Sequence, residues 1–258
     1  MTGLLEGKLA LVAGVANRRS IAWAVAQQLA EQGATLAFTY QGARIEQSVR
    51  ELAASIGCSL CVECDVGDDA SLDRAFAEVD EGLGGLDLLV HSIAFAQAHD
   101  LEGRFTDTKR EDYLLAVNVS SYSLVAMTRR AEPLMRARGG GAIVTMTYLG
   151  GERVVPNYNV MGIAKAALES SMRYLASELG QAGIRVNAIS AGPVRTLSAR
   201  SIAGFTTMES LVAERAPLKR NIDASDVGSA ALYLLSSMAA SVTGTILYVD
   251  GGYHAMGM

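Results

Sequence analysis

Short apolar runs alternate with stretches of helical period along the whole chain, and this alternation limits the possible folds more than any other feature. LALVAG (9–14), ATLAFTY (34–40), SLCVEC (59–64), LDLLVHS (86–92), AIVTMT (142–147), IRVNAIS (184–190) and TILYVD (245–250) read as seven strands. Between the first two, SIAWAVAQQLAEQG places Ile21, Val25, Ala26 and Leu29 on one helix face, with Ser20 as N-cap and Gly33 as stop. RIEQSVRELAASIG and DASLDRAFAEVDEGLGG repeat the design, and further helices are expected over 107–137, 157–180 and 223–237. Parallel neighbours need a crossover, and the crossover helix covers a face of the sheet. Strands apolar on both sides suit a sheet buried in that way. The expected fold class is α/β, one doubly wound domain over residues 1–258 with a seven-stranded parallel sheet and helices on both faces. No repeat, low-complexity tract or linker divides the chain.

Composition narrows the partners. Half of the 258 residues are hydrophobic, 26 are glycine and the formal charge is −5. Without a basic run, nucleic acid is not an expected partner. No stretch reaches the ~18 apolar residues of a membrane helix, and MTGLLEGKLALVAG, without a basic leader and an apolar core, does not read as a signal peptide. A cytoplasmic protein is expected. CSLCVEC (58–64) carries the two-residue spacing of metal ligands. Read as a strand, it sends Cys58 and Cys61 to opposite faces and sets Cys58 and Cys64 roughly 20 Å apart. Buried thiols are the better reading, and no metal is expected.

Ligands of an open parallel sheet bind beyond the carboxyl ends of its strands. GVANRRSIAW follows strand one: Gly14 permits a tight turn, and Ser20 and Ile21 open a helix whose free amides suit a phosphate, as in a Rossmann-like dinucleotide site. CDV (64–66), HSIAFA (91–96) and SAGPVRT (190–196) gather at the same edge, where Asp65 is a candidate for the adenine and Ser92, Ile93 and Ala94 for a slim wall along the cofactor. FTYQGAR ends strand two without an acid; Gln41 at the ribose favours NADH, while Arg44 is the argument for NADPH.

GVANRRSIAW, AFTYQ, ECDV, HSIAFA, SSYSLVAM, TYLGGERVVPNYNVMGIAKA, RVNAISAGPVRT and VDGG occur in an order and spacing similar to the enoyl-acyl-carrier-protein reductases of bacterial fatty-acid synthesis. Those enzymes are a divergent branch of the short-chain dehydrogenases/reductases. The resemblance covers the whole length and implies that Tyr158 meets the substrate carbonyl, Lys165 holds the nicotinamide ribose and Tyr148 is a second active-site tyrosine. It also implies cofactor contacts at Gly14, Ser20, Ile21, Gln41, Asp65, Val66, Ser92, Ile93, Val194 and Thr196, a substrate contact at Ala96, an enoyl-acyl carrier protein substrate, and a homotetramer. Ala94 departs from the glycine of many relatives.

PNYNVMGIAK spaces tyrosine and lysine seven apart, which on a helix is ~10.5 Å along the axis against ~6 Å for the commoner spacing of four. Reduction of a conjugated thioester delivers hydride to the β-carbon while charge develops on a remote oxygen, so the acid belongs further from the ribose anchor. The Lys165 charge is expected to make the Tyr158 phenol more acidic. A lid over about 195–210 carries Leu197, Ile202, Phe205 and Met208, and Met161 extends an apolar wall for an acyl tail. Arg200 is the candidate for docking an acidic carrier protein. A carbonyl-reducing relative and a non-catalytic nucleotide sensor remain the alternatives.

Overall fold

The computed structural model describes residues 3–196 and 204–257. All seven expected strands form among them: β1 (Leu9–Ala13), β2 (Thr35–Tyr40), β3 (Cys61–Glu63), β4 (Leu88–His91), β5 (Gly141–Thr147), β6 (Ile184–Ala191) and β7 (Ile246–Val249). They make one sheet in the order β3-β2-β1-β4-β5-β6-β7, with every neighbouring pair parallel. The helices are α1 (Ile21–Glu31), α2 (Ala43–Ser55), α3 (Asp69–Leu83), α4 (Arg110–Val117), α5 (Ser123–Ala137), α6 (Asn159–Leu179), α7 (Phe205–Arg215) and α8 (Ala224–Leu235). No helix among the described residues is long and apolar enough to cross a membrane.

Alternation along each strand feeds two cores. Ala10 and Val12 of β1 join Val25 of α1, Val49 of α2 and Val227 of α8 on one face. Leu11 and Ala13 join Leu72 of α3, Met127 of α5 and Leu168 of α6 on the other. A strand buried from both sides has no polar face to offer, which is why these segments read as continuous apolar runs.

Three expectations need correction. The single helix over 107–137 is two helices, α4 and α5, joined by a π-helical turn at Asn118–Tyr122. That turn presents Ser120, whose Oγ accepts from the Phe95 amide at 2.9 Å and lies 3.0 Å from the Phe95 carbonyl, fastening the chain that leaves β4. The helix expected from 157 begins at Asn159, because Asn157 and Asn159 take left-handed φ values of 63° and 38°. Cys58 and Cys61 do not diverge: both enter the α1/α2/α8 core and only Cys64 enters the other. The period-of-two argument starts at Cys61, where β3 starts, and the preceding chain turns at Gly57, φ 77°. Cys58 donates to the Leu36 carbonyl at 2.9 Å, and burial pushes the Cys58 and Cys64 thiols up to about 11, so they remain protonated at neutral pH.

From β1 the chain winds outward to β2 and β3, then returns to place β4 on the other side of β1. The two carboxyl ends separate there and leave a crevice. Gly14, just past β1, has φ 104°, and a Cβ on it would stand 2.0 Å from the Ser92 carbonyl oxygen. Only glycine fits both demands.

His91 closes β4 and is wholly buried. Its ring reaches Ser123 Oγ and Thr145 Oγ1, both at 2.8 Å, tying β4 to α5 and β5. Ser123 already donates to the Val119 carbonyl at 2.6 Å, so His91 Nε2–H donates to Ser123 and Nδ1 accepts from Thr145. Burial first, then the charge of Lys165, lowers its pKa from 6.5 to about 3. The unfolded chain therefore takes up this proton first: the stabilisation is complete above about 6.5 and is lost as pH falls towards about 3. Between pH 7 and pH 5 the wild type should lose about 2 kcal/mol through this site, and His91→Gln should lose less over the same interval in urea unfolding. Equal losses in the two proteins would rule out His91 as the source.

Candidate active site

The cofactor end of the crevice is set by backbone. Ser20 occupies the N-cap position of α1, but its side chain makes no capping bond. Instead Ser20 Oγ accepts from the Ala16 and Asn17 amides, each at 3.1 Å, bracing the loop after Gly14. The Ile21 and Ala22 amides at the start of α1 are thus left to another acceptor, while those of Trp23 and Ala24 donate to the Ser20 carbonyl, and the free pair carries the positive end of the helix dipole. Ser20 is thus the N-cap residue that the sequence marks, with its side chain turned to the preceding loop instead of the helix.

At the end of β3, the Asp65 amide bonds Ser71 Oγ at 2.9 Å, and one Asp65 carboxylate oxygen accepts from Gly67 N, also at 2.9 Å. Asp65 is exposed while Val66 beside it is buried. Gln41 and Arg44 are both exposed after β2. Ser92 and Ile93 are half-buried, and Ala94 is exposed at the tip of β4. Val194 packs on the core, and its carbonyl accepts from Thr196 N at 2.7 Å. Gly14, Ser20, Ile21, Asp65, Val66, Ser92, Ile93, Val194 and Thr196 thus all fall at or just beyond the carboxyl ends of β1, β3, β4 and β6. A dinucleotide fits this donor set: free helix amides for its phosphates, an exposed carboxylate for its adenine, and a slim wall along its length.

The reacting end is an apolar cluster of Leu101, Tyr158, Met161 and Ala164, against which Ala96, Tyr148 and Val155 pack. Tyr158 is buried, and its hydroxyl makes no hydrogen bond to any described residue. Its ring meets Tyr148 edge-on, with centroids 5.0 Å apart and planes at 73°. Tyr148 Oη points to Met208 Sδ at 3.1 Å. Glycines make the fit possible: a Cβ on Gly150 would lie 2.4 Å from Tyr158 Cδ1, and one on Gly162 would lie 2.8 Å from the Gly150 carbonyl oxygen. Gly162, where the commoner spacing would put a lysine, is the point at which α6 presses against the turn that follows β5.

Lys165 is buried and donates from Nζ to the Met146 carbonyl at 2.8 Å. Burial lowers its pKa from 10.5 to about 8, opposed by the nearby Glu169. Glu169 is itself buried, accepts from Thr147 Oγ1 at 2.6 Å, and is pushed above the usual carboxylate range by burial. The expectation of a more acidic Tyr158 is overturned. Burial raises its pKa well above the ordinary 10, Tyr148 and Glu169 add to the rise, and Lys165 does not offset it. The phenol therefore stays protonated across the neutral range. Tyr148 is likewise pushed up to about 12, mainly by burial.

Tyr158 stands at the N-cap position of α6 rather than within it, so the simple axial count from tyrosine to lysine holds only from Asn159 onward. Met208 reaches the site from the first turns of α7; Phe205, at the start of that helix, is half-buried outside the apolar cluster. Leu197, Arg200 and Ile202 lie outside the described residues. Sequence reasoning missed Val155, Pro156 and Leu211, which line a cavity of about 460 Å³ with Tyr148 and Met208, and Tyr253 and Met256, which reach it from beyond β7. VVPN directly before Tyr158 was the available signal for the first two.

This arrangement of sheet edge, buried tyrosine and buried lysine is that of a nicotinamide-dependent reductase. Residues 14–254 match the family model described as enoyl-(acyl carrier protein) reductase. Enoyl-[acyl-carrier-protein] reductase [NADH] of Bacillus cereus is 51% identical over 256 residues, covering 98% of this chain and 99% of that protein. Its Rickettsia felis counterpart is 50% identical over 99% and 98%. Among solved structures, the Aquifex aeolicus enoyl-[acyl-carrier-protein] reductase (NADH) is similar with a TM-score of 0.96 and 48% identity over 99% of this chain and 100% of that one. The Anaplasma phagocytophilum enzyme, solved in complex with NAD, has a TM-score of 0.96 at 46% identity over 100% and 98%. The chain belongs to the enoyl-acyl-carrier-protein reductase family.

Gly150→Ala tests how the reacting end is held. The new methyl must push the Tyr158 ring aside, and a misplacement of ~1 Å can cost about a hundredfold in rate. We expect kcat to fall at least tenfold with NADH binding retained; an unchanged kcat would show that the ring position is not critical.

Proposed function

We propose that the chain reduces the trans-2 double bond of enoyl thioesters carried on acyl carrier protein, with NADH as cofactor, in the last reductive step of fatty-acid elongation. The observation that carries the reading is the buried Tyr158 hydroxyl, protonated and free of described protein partners, set in an apolar cluster at the N-cap of the helix that carries buried Lys165. Gly14, Ser20, Ile21, Asp65, Val66, Ser92, Ile93, Val194 and Thr196 would hold the dinucleotide, with Gln41 at the adenosine ribose. When bound, NADH supplies the hydride for the β-carbon.

Tyr158 donates a hydrogen bond to the thioester oxygen as negative charge gathers there. Low polarity around the phenol strengthens that bond most when the charge is greatest, which lowers the barrier instead of merely tightening binding. Lys165, charged below about pH 8 and anchored by the Met146 carbonyl, would hold the nicotinamide ribose. Tyr148 and Met161 wall the acyl group, with Ala96 beside it. The α-carbon of the resulting enolate then takes a proton from solvent, which completes the saturated chain and removes the charge from the thioester oxygen. The preference for NADH over NADPH rests on the uncharged Gln41; exposed Arg44 is the residue through which a 2′-phosphate would be tolerated.

The lid is proposed over about 195–210. Its described ends meet through an ion pair: exposed Arg195 donates from Nε to both oxygens of buried Glu209, at 2.7 and 2.9 Å. Phe205 and Ile202 would line the lid with Met208, and the cavity of about 460 Å³ beneath would take the acyl tail. Arg200 remains the proposed contact for the acidic carrier protein, in the cytoplasm.

A homotetramer is proposed on two grounds. Strand β7 at the sheet edge is only half-buried along its whole length, and large apolar side chains such as Tyr174 and Met238 are exposed on the helical surface. Light scattering coupled to size exclusion should return four times the mass of the chain; a monomeric mass would refute the assembly.

With a crotonyl thioester and NADH, Tyr158→Phe should retain NADH affinity but lose about a hundredfold or more in kcat, the scale of one lost oxyanion donor. NADPH should be used more slowly than NADH by the wild type. A fully active Tyr158→Phe variant would remove the assigned role.

A further inference from the structure

Beyond β4 the chain makes a short 3₁₀ turn at Ala98–Leu101, which packs on α6 and meets α4 through His99 and Asp112. Three side chains converge there. His99 Nε2 stands 3.1 Å from Asp112 Oδ2 on α4 and 3.7 Å from Asp100 Oδ2. The candidate donor atoms of all three residues lie within 4.8 Å of one another. Asp100 is only 4% exposed, and its Oδ2 has no hydrogen-bond partner among the described residues. Burying a carboxylate oxygen without a donor is costly, and a bound ion is one of the few things that explains such a group in a folded protein. The unsatisfied oxygen faces the other two donors.

We propose that His99, Asp100 and Asp112 form a binding site for a first-row divalent cation of the zinc type. Two donors ~2.1 Å from a zinc ion, at tetrahedral or octahedral angles, stand about 3.0–3.4 Å apart. The His99–Asp112 pair already meets that spacing, and the His99–Asp100 pair needs to close by a few tenths of an ångström. One imidazole and two carboxylates suit Zn²⁺ and Co²⁺ better than the oxygen-only preference of Ca²⁺ or Mg²⁺. His99 is exposed on its outer side, at 59% of the side chain, which leaves an approach for the ion and a position for water. A plain His99–Asp112 contact satisfies Asp112 and leaves Asp100 Oδ2 without a hydrogen-bond partner.

The site lies outside the reductase chemistry but next to it. Leu101, the residue after Asp100, packs in the same cluster as Tyr158 and Met161. An ion at this position would pin the 98–101 turn to α4 and stiffen the wall of the acyl site without touching the reacting atoms. It needs none of Cys58, Cys61 and Cys64, which sit at the far edge of the sheet around β3.

Titration of the full-length protein with CoCl₂ distinguishes the possibilities. One Co²⁺ per chain is expected, with visible d–d bands, no thiolate charge-transfer band, and displacement by ZnCl₂. His99→Gln, an exposed position that should fold normally, and Asp100→Asn should each weaken binding at least tenfold. Zn²⁺ should raise the melting temperature of the wild type but not that of either variant. Asp100→Asn alone should melt no lower than the metal-free wild type, because the amide relieves a buried charge. Absence of stoichiometric binding, binding unchanged in both variants, or a thiolate band pointing to the cysteines would each overturn the site.

Discussion

Everything that this protein can do depends on two backbones approaching each other at the point where the strand order reverses. β1 and β4 are neighbours, yet the chain leaves them in opposite directions, and the opening between their carboxyl ends is where a dinucleotide can lie. Gly14 and Ser92 set how narrow that opening is. A single methyl on Gly14 would overlap the Ser92 carbonyl, so glycine at this position is a requirement of the sheet before it is a requirement of any ligand.

Around that opening the protein keeps several ionisable groups under cover. His91 at the end of β4, Tyr158 at the N-cap of α6, and Lys165 and Glu169 within α6 are all buried, and in each the charged form is disfavoured chiefly by burial. For His91 the outcome is structural, a neutral ring used as a two-sided clamp. For Tyr158 it is chemical, since a phenol that resists ionisation is a hydrogen-bond donor at every neutral pH. Lys165 is the exception that retains its charge near pH 7, helped by Glu169. Sites of this kind give up stability to place polar groups where water cannot screen them.

The glycines of TYLGG and YNVMGIAK illustrate how much was legible beforehand. Their presence on either side of the tyrosine was plain, as was the seven-residue spacing to the lysine. What they do was not, because Gly150 and Gly162 meet each other only after the turn following β5 is laid on α6. Ser20 was legible as a helix-start residue, but its bond runs backward into the loop. The phenol acidity was read in the wrong direction: proximity to a cation was visible in the sequence, whereas complete burial was not. Ser120, Tyr253 and Met256 carried no local signal, since they come to the site by a π turn or from beyond the last strand.

By itself the sequence determined the layer order, the parallel sense of the sheet and the edge at which chemistry would occur, because periodicity and crossover geometry are local rules that leave few alternatives. It also marked the candidate reactive pair, since a step of seven positions from tyrosine to lysine, with six residues between them, is a local distance. The tertiary structure alone decided which groups lose water, which carbonyl anchors Lys165, and that Met208 and the chain beyond β7 close on Tyr148. Desolvation and long-range packing depend on atoms far apart in the chain, and no window of residues contains them.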